Sequence, residues 1–265
     1  MKHIHALTLT WNGLGKLERL RPTLAGVMAD CPWSWHVRDN GSTDGTVDAL
    51  KDWPEVSTLL PHPHNRGTYA EGVNRLADAA NPAPDDVFLL LNNDIRFLDQ
   101  HSIRKMEALI KPGVGAVGAR LMFPDSTLQH AGVIFGPRYN NLPFHFRPRE
   151  KVDAQARQNR EFQAVSAAVM MVPCLTFAGV GGLDEGFRWA FEDIDLCLRI
   201  GATGKKIVYC GETEIEHEES ATLKKNPVNK LFVNQNVRLF REKWEGKYQQ
   251  DHEAYLHNPK KGLLR

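Results

Sequence analysis

The stretch "LLLNNDIRF" (89–97) ends an apolar run abruptly with two asparagines and an aspartate. With the residues before it, the run reads "DVFLLLN" (86–92), a pattern typical of a short buried β-strand. Parallel α/β sheets bind their ligands beyond the carboxyl ends of the strands. The carboxylate of Asp94 therefore marks a candidate ligand site, provided that the surrounding chain forms such a sheet.

The first hundred residues alternate strand and helix patterns. Strands are predicted at 4–10, 34–40, 55–60 and 86–92, and helices at 15–30 and 68–80. Pro22 should start or kink the first helix, and Ser42, Thr43 or Asp44 should cap a short helix after the second strand. This alternation predicts parallel pairing with right-handed crossovers. The expected class is α/β, with a Rossmann-like, mostly parallel central sheet flanked by helices.

The second half of the chain has a more mixed pattern. Strands are predicted at 114–123, 162–173 and 205–210, a helix at 192–204, and a long functional loop or insertion at 137–161. An amphipathic helix is predicted at 226–244, with an apolar face formed by Val228, Leu231, Phe232, Leu239, Phe240 and Trp244. We expect a single domain over 1–265, with two halves at 1–97 and 98–220 and a basic C-terminal helix and tail at 221–265.

Composition excludes several classes of protein. The net charge of +1 does not suggest nucleic acid as a partner. The four cysteines form no CxxC pair, which argues against a zinc ribbon or a disulfide framework and fits a reducing cytosol. We expect no signal peptide in "MKHIHALTLTWNG" and no membrane span, since no window of 18 residues is apolar. The expected location is cytoplasmic, with membrane association at the inner face as an additional expectation.

Polar residues follow three of the predicted parallel strands, at 8–12, 39–42 and 92–94. The ends of these strands should share one rim of the sheet. The segment "NRGTYAEGVN" (65–74) adds a glycine-containing turn at a helix start, where backbone N–H groups favour an anion. A carboxylate such as Asp94 suits Mg²⁺ or Mn²⁺. Together they predict a nucleotide diphosphate with a metal, although Asp39 and Asp94 could instead be plain turn residues.

Four motifs resemble, in order, those of family 2 glycosyltransferases of the GT-A fold. They are "LTWNG" (9–13), "VRDNGSTDGT" (37–46), "NRGTYAEGVN" (65–74) and "LNNDI" (91–95), and the resemblance covers about residues 3–220. Arg38 occupies a slot that is usually hydrophobic in the family. The resemblance implies contacts to the donor nucleotide sugar from Thr8, Trp11, Asn12, Asp39, Asn40, Ser42, Asn65, Arg66, Gly67, Asn74, Asn92 and Asn93.

The same resemblance implies a Mn²⁺ or Mg²⁺ site. Asp94 is the carboxylate of the DxD-like motif, whose first carboxylate is replaced here by Asn92. His217, in "EIEHEES" (214–220), matches a family histidine that completes the metal or diphosphate site. With one carboxylate in the motif, metal affinity is expected to be modest.

The segment "GGLDEGFRWAFEDIDLCLRIGATG" (181–204) resembles the catalytic segment of the family. The resemblance implies that Asp193 is the general base, with Glu192 beside it. A positioned carboxylate can accept the proton of an attacking hydroxyl, and the helix dipole should keep Asp193 ionised. Alternatively, the two acids only complement the helix terminus. In "TLQHAGVIFG" (127–136), His130 is either an acceptor-side residue or a packing residue.

The expected function is therefore an inverting, metal-assisted glycosyltransferase. Its donor is predicted to be a UDP- or dTDP-sugar and its acceptor a hydroxyl of a glycan or a lipid-linked saccharide. A sugar-nucleotide pyrophosphorylase is one alternative, although "TWNGLGKLERL" (10–20) poorly matches a triphosphate-binding loop. A non-catalytic relative that binds a sugar nucleotide or glycan is the other.

The C-terminal segment 224–265 holds ten Lys or Arg residues against four Asp or Glu residues, while the whole chain is nearly neutral. Either the helix packs on the domain and exposes its charges to solvent, or its basic face rests on an anionic membrane that presents a lipid-linked acceptor.

Overall fold

A mixed β-sheet organises the chain. The computed structural model describes residues 2–64, 67–137, 140–188, 190–218 and 227–264, without the side chains of 227–233. The strands are β1 (Ile4–Thr10), β2 (Trp33–Asp39), β3 (Val56–Pro61), β4 (Val87–Leu91), β5 (Ile95–Phe97), β6 (Val114–Met122), β7 (Leu128–His130), β8 (Val133–Phe135), β9 (Pro143–His145), β10 (Arg160–Phe162), β11 (Val169–Pro173) and β12 (Lys206–His217). The helices are α1 (Leu14–Met28), α2 (Thr46–Lys51), α3 (Tyr69–Ala80), α4 (Ser102–Glu107), α5 (Cys174–Gly179), α6 (Glu192–Ala202), α7 (Pro227–Trp244) and α8 (His252–His257).

The sheet is parallel at one end and mixed at the other. Its main path runs β10-β12-β6-β11-β4-β1-β2-β3, with β5 on β12 and β7 on β6. The pairs β1–β2, β2–β3 and β1–β4 are parallel, as the strand and helix alternation predicts. Strand β11 is antiparallel to both β4 and β6, while β6 and β12 are parallel. A separate antiparallel ribbon joins β8 and β9.

Strand β4 explains the apolar run in the sequence, because it is buried on both faces of the sheet. Phe88 and Leu90 contribute to the core that also contains residues of α3, α5 and α6. Leu89 and Leu91 contribute to the opposite core, which contains residues of α1 and α4. A strand covered on both faces reads as a continuous hydrophobic run rather than as an alternating one.

Helix α3 forms where the sequence places it, because both of its ends are capped. The Oγ1 atom of Thr68 accepts a hydrogen bond from the backbone N–H of Glu71 at 3.1 Å. At the other end Asn81 adopts a left-handed conformation with φ of 46°. Asparagine tolerates this conformation better than most residues, and it commonly ends a helix.

Several predicted boundaries are wrong. Pro22 does not start a helix, since α1 begins at Leu14 and runs through the proline. The cap of α2 is Gly45, although Asp44 does accept a hydrogen bond from the N–H of Thr46 at 3.1 Å. The strand predicted at 162–173 is divided into β10 and β11, and the one predicted at 205–210 extends to His217 as β12. The predicted 137–161 loop contains strand β9.

Helix α7 packs on α6, and polar side chains fix the contact. Trp244 Nε1 donates a hydrogen bond to Asp195 Oδ1 at 2.8 Å, and Lys243 Nζ lies 2.6 Å from the same oxygen. Asn236 Nδ2 donates to the carbonyl oxygen of Ala190 at 3.0 Å. Of the predicted apolar face, Phe240 is buried and Leu239 and Trp244 are partly buried, while Val228, Leu231 and Phe232 lie outside the described side chains. Contact of its remaining basic residues with a membrane stays a prediction.

In the described part of the chain, none of the helices combines the length and the apolar character that crossing a bilayer would require.

We expect Leu90→Ala to lower the free energy of unfolding by about 2–5 kcal/mol, because it leaves a cavity in the central strand. Leu90 is 0% exposed, whereas Leu98 is 47% exposed and provides a matched control. Leu98→Ala should change stability by about 0.5 kcal/mol or less. Urea denaturation followed by circular dichroism measures both, and equal losses in the two variants would contradict the assignment of β4 as the core strand.

Candidate functional site

The turn after β2 is organised by the carboxylate of Asp39. Its Oδ1 accepts hydrogen bonds from the backbone N–H groups of Gly41 and Ser42, both at 2.9 Å, and the Ser42 hydroxyl donates to Oδ2. Gly41 has φ of 81°, and a Cβ there would lie 3.1 Å from backbone atoms of His64. Asp39 is therefore buried and stabilises this turn. Its predicted role in ligand binding would be to fix the shape of the turn.

The turn after β1 is joined to the turn after β2. The backbone N–H of Asn12 donates to Ser42 Oγ at 2.7 Å, and Asn12 Oδ1 accepts from the N–H of Thr43 at 2.8 Å. Trp11 stands beside them with 45% of its surface exposed, which leaves its ring available for stacking. The two strand ends thus form one rim, as the sequence predicts.

Thr8 does not reach this rim. It is fully buried, and its hydroxyl oxygen accepts a hydrogen bond from Trp35 Nε1 at 3.0 Å. Its predicted contact with a nucleoside disagrees with this position, because the side chain is enclosed by the sheet and α1. The threonine at the end of the strand is Thr10, whose hydroxyl accepts from Asn93 Nδ2 at 3.0 Å.

Arg38 is buried in the slot where the family usually has an apolar residue. Its Nη2 lies 3.3 Å from Glu71 Oε1, and its Nε donates to Asn40 Oδ1 at 3.3 Å. Gly67 lies against the same group, since a Cβ there would be 3.4 Å from Arg38 Nη2. The guanidinium therefore fixes the side chain of Asn40 and links it to α3. The predicted donor contacts Asn65 and Arg66 lie outside the described residues.

Asn74 makes a structural contact that the sequence did not reveal. Its Nδ2 donates to the carbonyl oxygen of Leu183, and its Oδ1 accepts from the N–H of Leu183, both at 2.9 Å. Nδ2 also lies 3.0 Å from Glu185 Oε1. The amide ties α3 to the segment before α6, so its predicted contact with the donor would have to share these bonds.

Asp94 and His217 lie together, as predicted. Asp94 Oδ1 is 3.1 Å from His217 Nε2, and Lys16 Nζ is 3.6 Å from Asp94 Oδ2. Asn92 Nδ2 is 3.3 Å from His217 Nε2 on the other side. Strand pairing explains why Asp94 and His217 are close together. Strand β5 begins directly after Asp94, and its first residue, Ile95, pairs with His217 on β12.

Gln129 fixes the orientation of His217. Its Nε2 donates to the backbone carbonyl of His217 at 3.4 Å, which directs its Oε1 to His217 Nδ1 at 2.6 Å. An amide oxygen only accepts, so Nδ1 carries a proton and the neutral ring keeps its lone pair on Nε2. At 3.1 Å, Nε2 can donate a hydrogen bond to Asp94 Oδ1 when the ring is protonated, and in the neutral ring the two atoms can share a cation. A partner that sets the tautomer in this way is common behind metal-binding histidines.

These groups fit a divalent metal that is shared with its substrate. Among the described residues, no three His, Cys, Asp or Glu side chains form a complete metal cage. As predicted ligands, Asp94 and His217 would supply one oxygen and one nitrogen, and the remaining positions would be left to diphosphate oxygens and water. Mg²⁺ and Mn²⁺ accept such mixed sites.

The acidic pair stands at the start of α6. Asp193 Oδ2 accepts from the backbone N–H of Ala167 at 3.1 Å, and Oδ1 accepts from the N–H of Ile194 at 2.8 Å. Among the described residues, Glu192 Oε2 is buried and has no hydrogen-bond partner. Glu192 is therefore held less firmly than Asp193 beside it.

Burial raises the pKa of both acids. The pKa of Glu192 rises to about 8, because of burial first and the neighbouring Asp193 charge second. Burial also raises the pKa of Asp193, against the hydrogen bonds that favour its charged form. The pKa of Asp193 is thus raised rather than lowered, and its ionisation by the helix dipole stays a prediction. Tyr69 lies near the same pair, since the charges of both acids help to raise its pKa.

A single junction joins the metal side to the acidic side. The backbone N–H of Asn92 donates to the carbonyl oxygen of Ala168 at 2.9 Å. Asp94 lies two residues beyond Asn92, and Asp193 is bonded to Ala167, the neighbour of Ala168. The predicted metal ligand and the predicted base are therefore linked through the pairing of Asn92 with Ala168.

Sequence reasoning missed Lys16, Gln129, Tyr69 and Ser166, which surround these groups. Lys16 lies in the segment compared above with a triphosphate-binding loop, and Gln129 directly precedes His130. Both enter the site through contacts distant in sequence, and Gln129 lies 88 residues from His217. The nearest signal was the polar "LQH" (128–130) inside an apolar segment.

The sequence matches a known family and several of its members. Residues 8–166 match the model of the family described as "Glycosyl transferase family 2". The O-antigen biosynthesis protein RfbC of Myxococcus xanthus is 30% identical over 194 residues, 70% of this chain and 15% of that protein. An N-acetylglucosaminyl-diphospho-decaprenol L-rhamnosyltransferase of Mycobacterium tuberculosis is 29% identical over 249 residues, 86% of this chain and 80% of that one. The chain thus spans only 15% of RfbC and 18% of a further relative, the uncharacterized protein y4gI of Sinorhizobium fredii, but 80% of the rhamnosyltransferase.

Solved structures with a similar fold are glycosyltransferases. GalNAc-T7 with UDP, GalNAc and Mn²⁺ superposes with a TM-score of 0.67 at 14% identity, covering 92% of this chain and 48% of that one. The mannosyltransferase PcManGT of Pyrobaculum calidifontis, in complex with GDP-Man and Mn²⁺, gives 0.64 at 17% identity, covering 96% and 69%. The predicted GT-A fold is confirmed by this likeness.

We expect Asp94→Ala to abolish metal-dependent binding of the donor nucleotide, because it removes the carboxylate that lies 3.1 Å from His217 Nε2. His217→Ala should weaken the same site less, since it removes a neutral ligand and keeps the charge. Titration calorimetry with UDP and with dTDP, in Mn²⁺ and in chelator, measures this. Asp48→Ala, at a side chain that is 84% exposed, is the matched control. Equal nucleotide affinity of the unmodified protein with Mn²⁺ and with chelator would refute the metal assignment.

Proposed function

The chain belongs to glycosyl transferase family 2, and from that membership we propose that it is an inverting glycosyltransferase that uses a nucleotide-diphosphate sugar. The observation that carries the proposal is the hydrogen bond from the backbone N–H of Asn92 to the carbonyl oxygen of Ala168. Asp94 lies two residues beyond Asn92, and Ala167, next to Ala168, donates its N–H to Asp193. A cation-binding group and a carboxylate base adjoin there, as direct displacement of a diphosphate requires.

We propose a UDP- or dTDP-sugar as donor. Support comes from the rim of Trp11, Asn12 and the Asp39 turn, which offers an exposed ring and a shaped turn for a nucleoside. The fold relatives were solved with UDP or GDP-Man, so this class of fold accommodates such donors. The acceptor is proposed to be a hydroxyl of a glycan or a lipid-linked saccharide, because one relative is named for a decaprenol-linked acceptor.

The proposed reaction is one displacement. An acceptor hydroxyl attacks the anomeric carbon while Asp193 takes its proton, and the bond from that carbon to the diphosphate oxygen breaks with its electron pair on the diphosphate. Attack opposite the leaving group inverts the anomeric configuration. When bound between Asp94 and His217, Mn²⁺ or Mg²⁺ would offset the charge that builds on the diphosphate. Lys16, 3.6 Å from Asp94, adds a further positive charge on that side.

The decisive experiment offers UDP- and dTDP-linked sugars, L-rhamnose among them, to a panel of acceptors that includes N-acetylglucosaminyl-diphosphogeraniol. Transfer with an inverted anomeric configuration, read by NMR, supports the proposal. Retention of configuration would refute the single displacement. Formation of a sugar nucleotide from a nucleoside triphosphate and a sugar 1-phosphate would identify a pyrophosphorylase instead. Donor binding with neither transfer nor hydrolysis would identify a non-catalytic binding protein.

We expect Asp193→Asn to lower turnover by roughly 10² or more and to leave donor affinity nearly unchanged, because it removes the base and preserves the shape of the side chain. Initial rates and calorimetric donor affinity, measured on the same preparation, separate the two effects. A variant that keeps more than half of the activity would show that Asp193 is not the base.

We expect turnover to fall on the acidic side at a pH well above the usual range of a carboxylate. A base acts only when deprotonated, and burial raises the pKa of Asp193 while the pKa of Glu192 is about 8. As the pH falls through these values the pair takes up a proton and the base is lost. Profiles of kcat against pH at saturating donor measure this limb. Glu192→Gln should move it to lower pH, and a wild-type limb near pH 4 to 5 would contradict the expectation.

A further inference from the structure

His145 is placed beside the site by a part of the chain that the mechanism has not used. It ends β9, which pairs with β8 so that His145 stands opposite Val133. The next residue, Phe146, donates its N–H to the carbonyl oxygen of Gly132 at 2.9 Å. The backbone of His145 is thus held against β8, and the residue keeps exposed surface although its ring packs on that of His130.

A chain of hydrogen bonds fixes the tautomers of two histidines. The backbone N–H of Ser166 donates to His130 Nε2 at 3.2 Å, so that nitrogen must carry a lone pair. Neutral His130 therefore has its proton on Nδ1, which lies 2.8 Å from His145 Nδ1. His145 Nδ1 accepts a hydrogen bond from the Nδ1–H of His130. A neutral His145 therefore carries its own proton on Nε2. The ring nitrogen not bonded to His130 is a donor.

Both histidines stay neutral near neutral pH. Burial lowers the pKa of His130 well below its usual value, and the charges of His145 and His217 act in the same direction. The pKa of His145 falls to about 4, because of burial first and His217 second. The direction of the hydrogen bonds is thus the same across the physiological range.

The pair is tied to both parts of the proposed site. His130 directly follows Gln129, whose side-chain oxygen lies 2.6 Å from His217 Nδ1, so the pair adjoins the predicted metal-binding histidine. Ser166, which holds His130, precedes Ala167, whose N–H holds Asp193. The base and the histidine pair are therefore anchored on consecutive N–H groups of one short segment.

We propose that His145 binds the acceptor saccharide, with its Nε2–H donating to an acceptor oxygen near the hydroxyl that Asp193 deprotonates, and that His130 is the positioning residue that fixes this donor. The inference rests on the proposed glycosyltransferase function. The donor rim consists of the ends of β1, β2 and β4, whereas His145 arrives from the segment after β8, which favours the acceptor over the donor. The matching chemistry is a sugar hydroxyl, ring or amide oxygen.

The kinetic test compares His145→Phe, His145→Gln and the wild type on the acceptor that the panel identifies. Loss of one hydrogen bond should raise the acceptor KM about tenfold in His145→Phe and change kcat less. Calorimetric donor affinity with Mn²⁺ should stay unchanged. His145→Gln, which retains an N–H donor, should recover most of the loss. His257→Phe, at a ring that is 78% exposed on α8, is the matched control and should match the wild type.

A second measurement does not depend on activity. Nitrogen-15 NMR of the histidine rings should show His130 protonated on Nδ1 and His145 on Nε2. The opposite tautomer in His145, an unchanged acceptor KM in His145→Phe, or a weakened donor affinity there would each overturn the proposal. If no acceptor on the panel is glycosylated, the proposed function fails and the acceptor role fails with it. The NMR result then still decides whether the tautomer chain exists.

Discussion

The antiparallel pairing of β4 with β11 is the constraint on which the site depends. A parallel neighbour would bring its own carboxyl end to the rim beside β4, whereas β11 brings its beginning. Residues 166–168 therefore lie against Asn92, and their N–H groups bind His130 and Asp193. This reversal adds the proposed base and a histidine pair to a rim that otherwise consists of the turns after β1 and β2 and the proposed cation-binding Asp94.

Much of the first half of the fold could be predicted because its signals are local. The apolar run of β4, the Thr68 cap and the Asn81 stop of α3 act within a few residues, so a sequence reader sees them. The second half resisted prediction for a physical reason. Strands such as β5, β7 and β9 have three residues each and become strands through partners far along the chain. A short segment without caps or periodicity carries little information about its own pairing.

The same distinction applies to the site. Strand ends placed Asp39 and Asp94 on one rim, and the resemblance to the family pointed to Asp193 and His217. The supporting groups were not visible, because Gln129 and Asn74 act on residues 88 and 109 positions away. Thr8 shows the opposite error. Its polar side chain near a strand end suggested contact with a ligand, but its hydroxyl oxygen is buried and accepts a hydrogen bond from the indole N–H of Trp35. Polar character in a sequence does not distinguish a ligand from a buried partner.

The chain enters α6 through two successive left-handed residues, Ala190 with φ of 69° and Phe191 with φ of 73°. Such a conformation costs about 1–2 kcal/mol for each L-residue, and Asn236 of α7 holds it in place. For protein engineering, a substitution at Ala190 or Phe191 that raises thermal stability is expected to lower activity. Ala190→Gly would relieve the strain, but it would also make the backbone before α6 more flexible, so that Glu192 and Asp193 would be less firmly oriented. A thermostable variant of this protein is better sought elsewhere.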